Sequence, residues 1–215
     1  MDDSEVSGLR SGSSSEPLEI LRSRPPRERA DAARNREKVL AAAARLFREQ
    51  GVEHVSMDAV AAEAGVGKGT VFRRFGDRSG LAVALLDERE RELQERVISG
   101  PPPLGPGAPA AERLVAFADA YLDYLAGHLD LVRMSETAGP GARYRIGAYR
   151  FWHRHLAILL GRARPGCDAD ALAHALLAPL GAESVTALRA DLGDERVRRA
   201  IRDVALAVAT ASEEG

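Results

Sequence analysis

Between Ser56 and Arg78 lies a set of side chains suited to holding a polyanion. Lys68, Arg73, Arg74 and Arg78 supply positive charge, Ser56 and Thr70 supply hydroxyls, and Gly69 lets another molecule approach the backbone closely. Phosphate binding needs a local positive surplus, and affinity of that origin falls steeply with salt. The chain as a whole is nearly neutral, with 30 basic and 32 acidic side chains. Counted by segment it is not neutral. Arg22 to Arg78 carries 13 basic and 8 acidic residues, a surplus of five, whereas the remainder carries 17 and 24, a deficit of seven. A net charge of −2 therefore combines a basic segment with an acidic remainder.

Other chemistries find no support. The run Gly65-Val66-Gly67-Lys68-Gly69-Thr70 resembles a phosphate-binding P-loop only superficially. Gly69 follows the lysine where Ser or Thr is required, Ala62 stands where the first glycine should be, and a helix precedes the run instead of a strand. His153 and His155, two apart, do not share a helix face, and no His-x-x-x-His or Glu-x-x-His pair suggests a metal centre. His174 and Glu183 read as surface or interface residues. No serine sits in a nucleophile elbow. Cys167, the one cysteine, excludes an internal disulfide; a passive thiol is a simpler reading for it than a redox sensor. No catalytic residue, metal ligand or cofactor is expected.

Helices are what must position the basic set. The chain has 215 residues, 45% hydrophobic and 29% charged, enough apolar material for a core. Residues 1–30, rich in Ser, Gly, Pro, Glu and Arg, read as a disordered tail. Arg22, Arg24, Arg27 and Arg29 could enter a minor groove, but a solvated tail that aids encounter is the simpler reading. Val39, Ala43, Leu46 and Phe47 fall at helical spacing before Gly51. Two short helices, Ser56 to Ala64 and Lys68 to Phe75, follow across a turn containing Gly65. Ser56 can cap the first, and Asp58 complements its positive end. Val71 and Phe75 face inward from the second, whose length of ~12 Å suits a major groove. A connecting helix spans about 80–98, and the Pro/Gly-rich stretch 99–110 is a loop. Further helical patterns cover about 111–127, 129–137, 142–163, 168–190 and 194–209, with a kink expected at Pro179. No two-residue alternation calls for a strand, so the fold class is all-α.

The window Val55 to Leu81, and the run GVGKGTVFRRFGDRSGL within it, resembles the DNA-binding domain of the tetracycline-repressor (TetR) family of bacterial transcriptional regulators; the likeness extends from about Arg34 to Leu86. The resemblance implies that Lys68, Gly69, Thr70 and Arg73 contact base edges or adjacent backbone. It implies that Ser56, Phe72, Arg74 and Arg78 mainly hold phosphates. Gly67 stands where Ser or Thr usually caps the recognition helix, at a cost of a few tenths of a kcal/mol. Phe72 stands where Tyr is usual, so a hydroxyl-to-phosphate bond is absent and only its ring can pack against the sugar.

By the same resemblance, residues 31–79 form a helix-turn-helix domain, and residues 111–215 form a helical bundle for effector binding and dimerisation. Seven of the ten aromatic residues lie between Phe117 and Trp152. Phe117, Tyr121, Tyr124, His128, Met134, Phe151, Trp152 and His155 are the candidate effector-binding residues, although such a stripe is more often simple core. The last two long helices pair with their symmetry mates in this family, through Leu172, Leu176, Leu180, Val197, Ile201, Val204 and Val208. That contact would set two recognition helices ~34–36 Å apart.

The expectation is therefore a homodimeric repressor that binds double-stranded DNA at a palindromic operator and is released by an unknown small molecule. No run of ~18 apolar residues spans a membrane, and the acidic, polar N-terminus does not resemble a signal peptide, so the expected setting is the cytoplasm. The competing reading is a helical ligand-binding or metabolic enzyme carrying a DNA-like helical hairpin.

Overall fold

A computed structural model describes residues 26–211. The expected tail up to residue 25, with Arg22 and Arg24, lies outside the described residues, as do the side chains of Arg27 and Arg29. Ten α-helices and one 3₁₀ turn are present among the described residues, and no strand. The first helix, α1 (Pro26–Gln50), begins five residues before the expected start at Asp31. Proline at the first helical position costs no hydrogen bond and presets φ, so Pro26 opens a helix here instead of belonging to a tail.

Helices α2 (Met57–Ala64) and α3 (Lys68–Phe75) form the expected pair. They pack with α1 and the start of α4 (Arg78–Ser99) around one small core. Val39, Ala43, Val55, Val60, Val71 and Leu81 are almost completely buried there. Gly65 sits in the left-handed region at φ +62°, which ends α2 without a Cβ penalty. At Gly80 the requirement is different: a Cβ there would overlap the Phe75 carbonyl oxygen, so glycine lets α4 start hard against the end of α3.

The second core begins at Leu86, two turns into α4, and is larger. Its axis is α5 (Ala110–Glu136), which packs against α4, α7 and α10. Two separate helices are expected across this span. The structure has one, bent at His128 (φ −140°, ψ 21°) just after Gly127. The expected helix 142–163 is instead divided into α6 (Ala142–Arg145) and α7 (Gly147–Ala163) by extended Ile146. The expected helix 168–190 is broken outright, into α8 (Ala169–Leu177), a 3₁₀ turn over Ala178–Leu180, and α9 (Ala182–Leu192), bent by 56°. Pro179 lacks an amide donor and its ring crowds the preceding turn, which accounts for the break. The final helix is α10 (Asp194–Thr210). Between α4 and α5 the loop is anchored by buried Arg113, which donates to the carbonyls of Val97 (2.8 Å) and Leu104 (3.3 Å). Among the described residues, no single helix is long and apolar enough to cross a membrane.

Candidate functional site

The α2–α3 pair is built by short-range bonds. The Ser56 hydroxyl accepts from the Ala59 amide at 3.1 Å, which caps α2. That leaves its own proton free to donate outward. The Gly65 amide and the Val66 amide return to carbonyls of Ala62 and Ala61, closing the turn. Gly67 caps α3 with no side-chain bond.

On α3 the division between inside and outside is sharp. Val71 is 1% exposed, while Lys68, Gly69, Phe72, Arg73 and Arg74 face solvent and Thr70 is half-buried. Phe72, at 40% exposure, is a large apolar surface on an otherwise polar helix. The Lys68 ammonium lies 5.7 Å from its ring centre and 2.6 Å from the Asp58 carboxylate of α2. Surface grooves of about 450 and 580 Å³ flank α3. One is lined by Asn35, Arg36, Thr70, Arg73 and Arg74, the other by Ser56, Lys68, Phe72 and Arg78.

Two of the arginines serve the fold as well. Arg74 donates to the Ala32 carbonyl at 3.1 Å and so ties α3 to α1. Arg78 is half-buried and donates to the Glu53 carbonyl at 2.8 Å, with the carbonyls of Val52 and Val55 at 3.5 Å. Its guanidinium is engaged by the loop that leads into Ser56. The resemblance puts it on a phosphate; the structure turns it toward backbone.

The eight candidate effector residues separate into three groups. Phe117, Tyr121 and Trp152 are buried and mutually packed, with ring centres 5.6–5.9 Å apart. Tyr124 joins them, 5.7 Å from Tyr121, and its hydroxyl donates to Glu90 of α4 at 3.2 Å. Phe151 and His155 lie on the far side of Trp152 and Phe117; the His155 Nε2 is buried with no partner, and burial lowers its pKa to about 4. His128 packs on Tyr124 with ring centres 5.4 Å apart, but it and Met134 also face other surroundings. His128 lines a cleft of about 550 Å³ facing α1 and α4, and Met134 packs on the helix-turn-helix core, its carbonyl accepting from Ser79 at 3.1 Å.

Tyr121, Tyr124 and Trp152 enclose a small cavity of about 20 Å³ together with Glu90, Glu136, Arg143 and Tyr149, four polar residues that sequence reasoning did not pick out. Burial pushes Glu90 up to about 7 and raises the phenols of Tyr121 and Tyr124 well above the usual range. Among the described residues, no group of His, Cys, Asp and Glu side chains could hold a metal ion. Cys167 is half-buried, its Sγ 3.9 Å from the Leu160 carbonyl.

The expected dimer residues are redistributed too. Leu180 and Val197 are each 2% exposed and belong to the core of the single chain. Leu172 and Val208 pack at its edge. Leu176, Val197, Ile201 and Val204 line an apolar groove of about 170 Å³ with Pro179, Leu188, Leu192 and Ala200, and Val204 is about half exposed there.

Residues 39–85, spanning this helix pair and its supports, match the bacterial regulatory proteins of the tetR family. Over this segment the chain carries a tetR-type DNA-binding domain. An HTH-type transcriptional regulator of Staphylococcus aureus (strain USA300) is 47% identical over 53 residues, which is 25% of this chain and 29% of that protein. The chain thus aligns with less than a third of the length of this curated relative, and the rest is compared by fold alone. A transcriptional regulator FadR from Bacillus subtilis, solved with stearoyl-CoA, superposes with a TM-score of 0.58 at 18% identity over 82% of this chain and 99% of its own. A putative transcriptional regulator from Saccharomonospora viridis, solved with choline, gives 0.54 at 23% over 80% and 95%. A TetR-family regulator from Pectobacterium atrosepticum gives 0.57 at 23% over 83% and 94%. The TetR-like fold therefore covers both cores.

Proposed function

We propose that this TetR-family chain is a DNA-binding transcriptional regulator, a repressor that holds a palindromic operator as a homodimer and leaves it when a small molecule enters the helical bundle. The observation that carries the reading is α3, whose apolar side is closed by Val71 while Lys68, Thr70, Phe72 and Arg73 stand toward solvent between two grooves. Base reading falls to Lys68, Gly69, Thr70 and Arg73, phosphate holding to Ser56 and Arg74, and Phe72 packs on sugar. Arg78 fixes the loop that presents Ser56.

The apolar groove at Val204 supports a second copy as its occupant, since an exposed apolar face on a regulator of two-fold DNA is accounted for by an isologous contact. The cavity around Tyr121, Tyr124 and Trp152 is the effector site. Proteins of the same fold are solved with ligands as different as stearoyl-CoA and choline, so the ligand class must come from the cavity's own chemistry. The effector acts by preferring a conformation in which the two recognition helices no longer match successive major grooves. The function is non-enzymatic and cytoplasmic.

Footprinting on the DNA upstream of the chain's own coding sequence, at two salt concentrations, tests this. A protected palindrome that weakens with salt is expected. Absent protection, or protection indifferent to salt, sinks the reading.

A further inference from the structure

The cavity between α4, α5, α6 and α7 is lined by two carboxylates and one cation, and the cation is already engaged. The Arg143 Nε donates to Glu136 Oε1 at 2.9 Å, its Nη2 donates to the Leu177 carbonyl at 2.6 Å, and its guanidinium carbon lies 5.2 Å from the Tyr149 ring centre. The other Glu136 oxygen accepts from the Ala182 amide at 2.8 Å. Arg143 and Glu136 neutralise each other and lock α6 to the start of α9. Glu90 is left with the Tyr124 hydroxyl as its hydrogen-bond partner, and among the described residues no basic side chain forms a salt bridge to it. Asp87, one turn earlier on α4, adds negative field.

A carboxylate without a counter-charge, walled by electron-rich rings, is costly to keep for structure alone. Tyr121, Tyr124 and Trp152 line the cavity, their ring centres 5.7–5.9 Å apart where they pack, and such rings carry the negative quadrupoles that attract a weakly hydrated cation. We infer that this cavity takes a small organic cation of the alkylammonium class, its charge against Glu90 and its alkyl groups against Tyr121, Tyr124 and Trp152. The inference rests on the effector reading above and gives it a chemistry. An inorganic cation would need several carboxylate or carbonyl oxygens converging on it, whereas Glu136 is held by Arg143 and the Ala182 amide and Glu90 is the one carboxylate left. With about 20 Å³ of free space the ligand must displace side chains as it enters, and the first to move is the Tyr124 hydroxyl from Glu90.

Proton linkage follows. Glu90 titrates near 7, and a cation binds only its ionised form. The groups facing it are Tyr121, Tyr124 and Glu136 from α5, Arg143 from α6 and Tyr149 from α7, with Asp87 on its own helix. Burial raises all three phenols, so they stay neutral between pH 6 and 8. His128, tilted against Tyr124 with ring centres 5.4 Å apart and outside the cavity lining, has its pKa lowered by burial.

Trp152 is the only tryptophan of the chain and lines the cavity, so intrinsic fluorescence of the full-length protein reports occupancy directly. Tetramethylammonium, whose charge does not titrate, is the probe, and tert-butanol is its uncharged near-isostere. Expected are saturable quenching by tetramethylammonium, about tenfold tighter at pH 8 than at pH 6 from the ionised fraction of a group titrating near 7, and at least tenfold weaker binding by tert-butanol. Glu90→Gln should weaken the cation at least tenfold and abolish the pH dependence. Tyr124→Phe, which removes the competing hydroxyl and keeps the ring, should bind as well as wild type or better. Equal binding of the two probes, an unchanged pH ratio in Glu90→Gln, or no saturation would overturn the assignment. The same samples are assayed on the upstream DNA. DNA binding with no cation response refutes the ligand class alone, whereas loss of DNA binding in the wild type refutes the regulator reading beneath it.

Discussion

Arg78 offers the sharpest test of geometry against resemblance. Family likeness assigns it to a phosphate; the structure shows its Nη1 2.8 Å from the Glu53 carbonyl, with Val52 and Val55 carbonyls at the edge of reach. The two assignments differ in what Arg78→Ala does. A phosphate contact contributes counterion release, so its loss lowers the slope of log affinity against log salt by about 0.9 and leaves stability nearly unchanged. A charged donor to a carbonyl contributes about 1.5–3 kcal/mol when well enclosed. Arg78 is half-buried and makes one short bond and two long ones, so the lower part of that range applies, about 1–2 kcal/mol. For a chain of this length that corresponds to a fall in Tm of roughly 2–8 °C. The loop from Val52 to Val55 then loosens, and with it the entry to Ser56, so DNA affinity falls modestly at every salt concentration.

The assay is thermal unfolding beside fluorescence anisotropy on operator and random DNA between low and moderate salt. Arg74→Ala is the phosphate control, because Arg74 is exposed and its bond to the Ala32 carbonyl lies at the surface. It should lower the salt slope by about 0.9 with Tm unchanged. If Arg78→Ala instead reproduces Arg74→Ala, with a reduced slope and intact Tm, the bond to the loop is incidental and the phosphate assignment is correct.

Asp58→Asn breaks the exposed ion pair that DNA must otherwise displace from Lys68; since such pairs are worth about 0.2–1 kcal/mol, operator affinity should rise up to about fivefold, and a loss of affinity by anisotropy would contradict this. Val204→Glu places a charge on the rim of the apolar groove and should convert a sedimenting dimer to a monomer at micromolar concentration without lowering monomer helicity by circular dichroism; an unchanged sedimentation coefficient would clear that face of any pairing role. Glu90 is raised from 4.5 to about 7 on folding, so its contribution is intact below pH 4.5 and lost as pH rises through 7. In urea melts Glu90→Gln should therefore match wild type at pH 4.5 and exceed it by about 1–2 kcal/mol at pH 8, whereas an equal difference at both values would show that ionisation is not the cause.

What could be read from sequence was what local rules determine. Ser56, Gly65 and Gly76 mark the ends of α2 and α3 within a few residues of chain, and Pro179 breaks its helix wherever the helix happens to pack. The division between α6 and α7 was not legible, because Ile146 continues an apolar pattern and nothing local stops it. That break is sustained at a distance, by Arg143 reaching Glu136 and the Leu177 carbonyl. Glu90 sits in a run, DERERELQER, that has the composition of a solvated face; only the approach of Tyr124, 34 positions later, buries it. The bonds of Arg78 to the carbonyls of the loop before Ser56 were not legible either, because no side-chain pattern advertises a backbone acceptor. The apolar stripes of α8 and α10 were visible, but a stripe does not say which of its residues face the core and which face solvent. Leu180 and Val197 went to the core, and Val204 stayed half exposed.

Helix α4 joins the two chemistries. Arg78 and the capping Asp77 stand at its start, braced against the loop before α2 and the end of α3, and Glu90 stands twelve residues on, about 18 Å along the axis. A helix of that length moves as a rod, because core packing does not deform continuously. A ligand that pushes Tyr124 from Glu90 therefore acts on the same element whose first turn is fixed to the DNA-reading pair. The second brace is Met134 of α5, whose carbonyl holds Ser79, so tilting α4 at the cavity also strains the junction between the cores. Moving an operator-bound population from mostly bound to mostly free needs a differential affinity of about 10⁴-fold, near 5.5 kcal/mol. Only a cation held at Glu90 more tightly in one position of α4 than in another could supply that difference. A cation that bound both positions equally would leave the DNA in place, however tightly it bound.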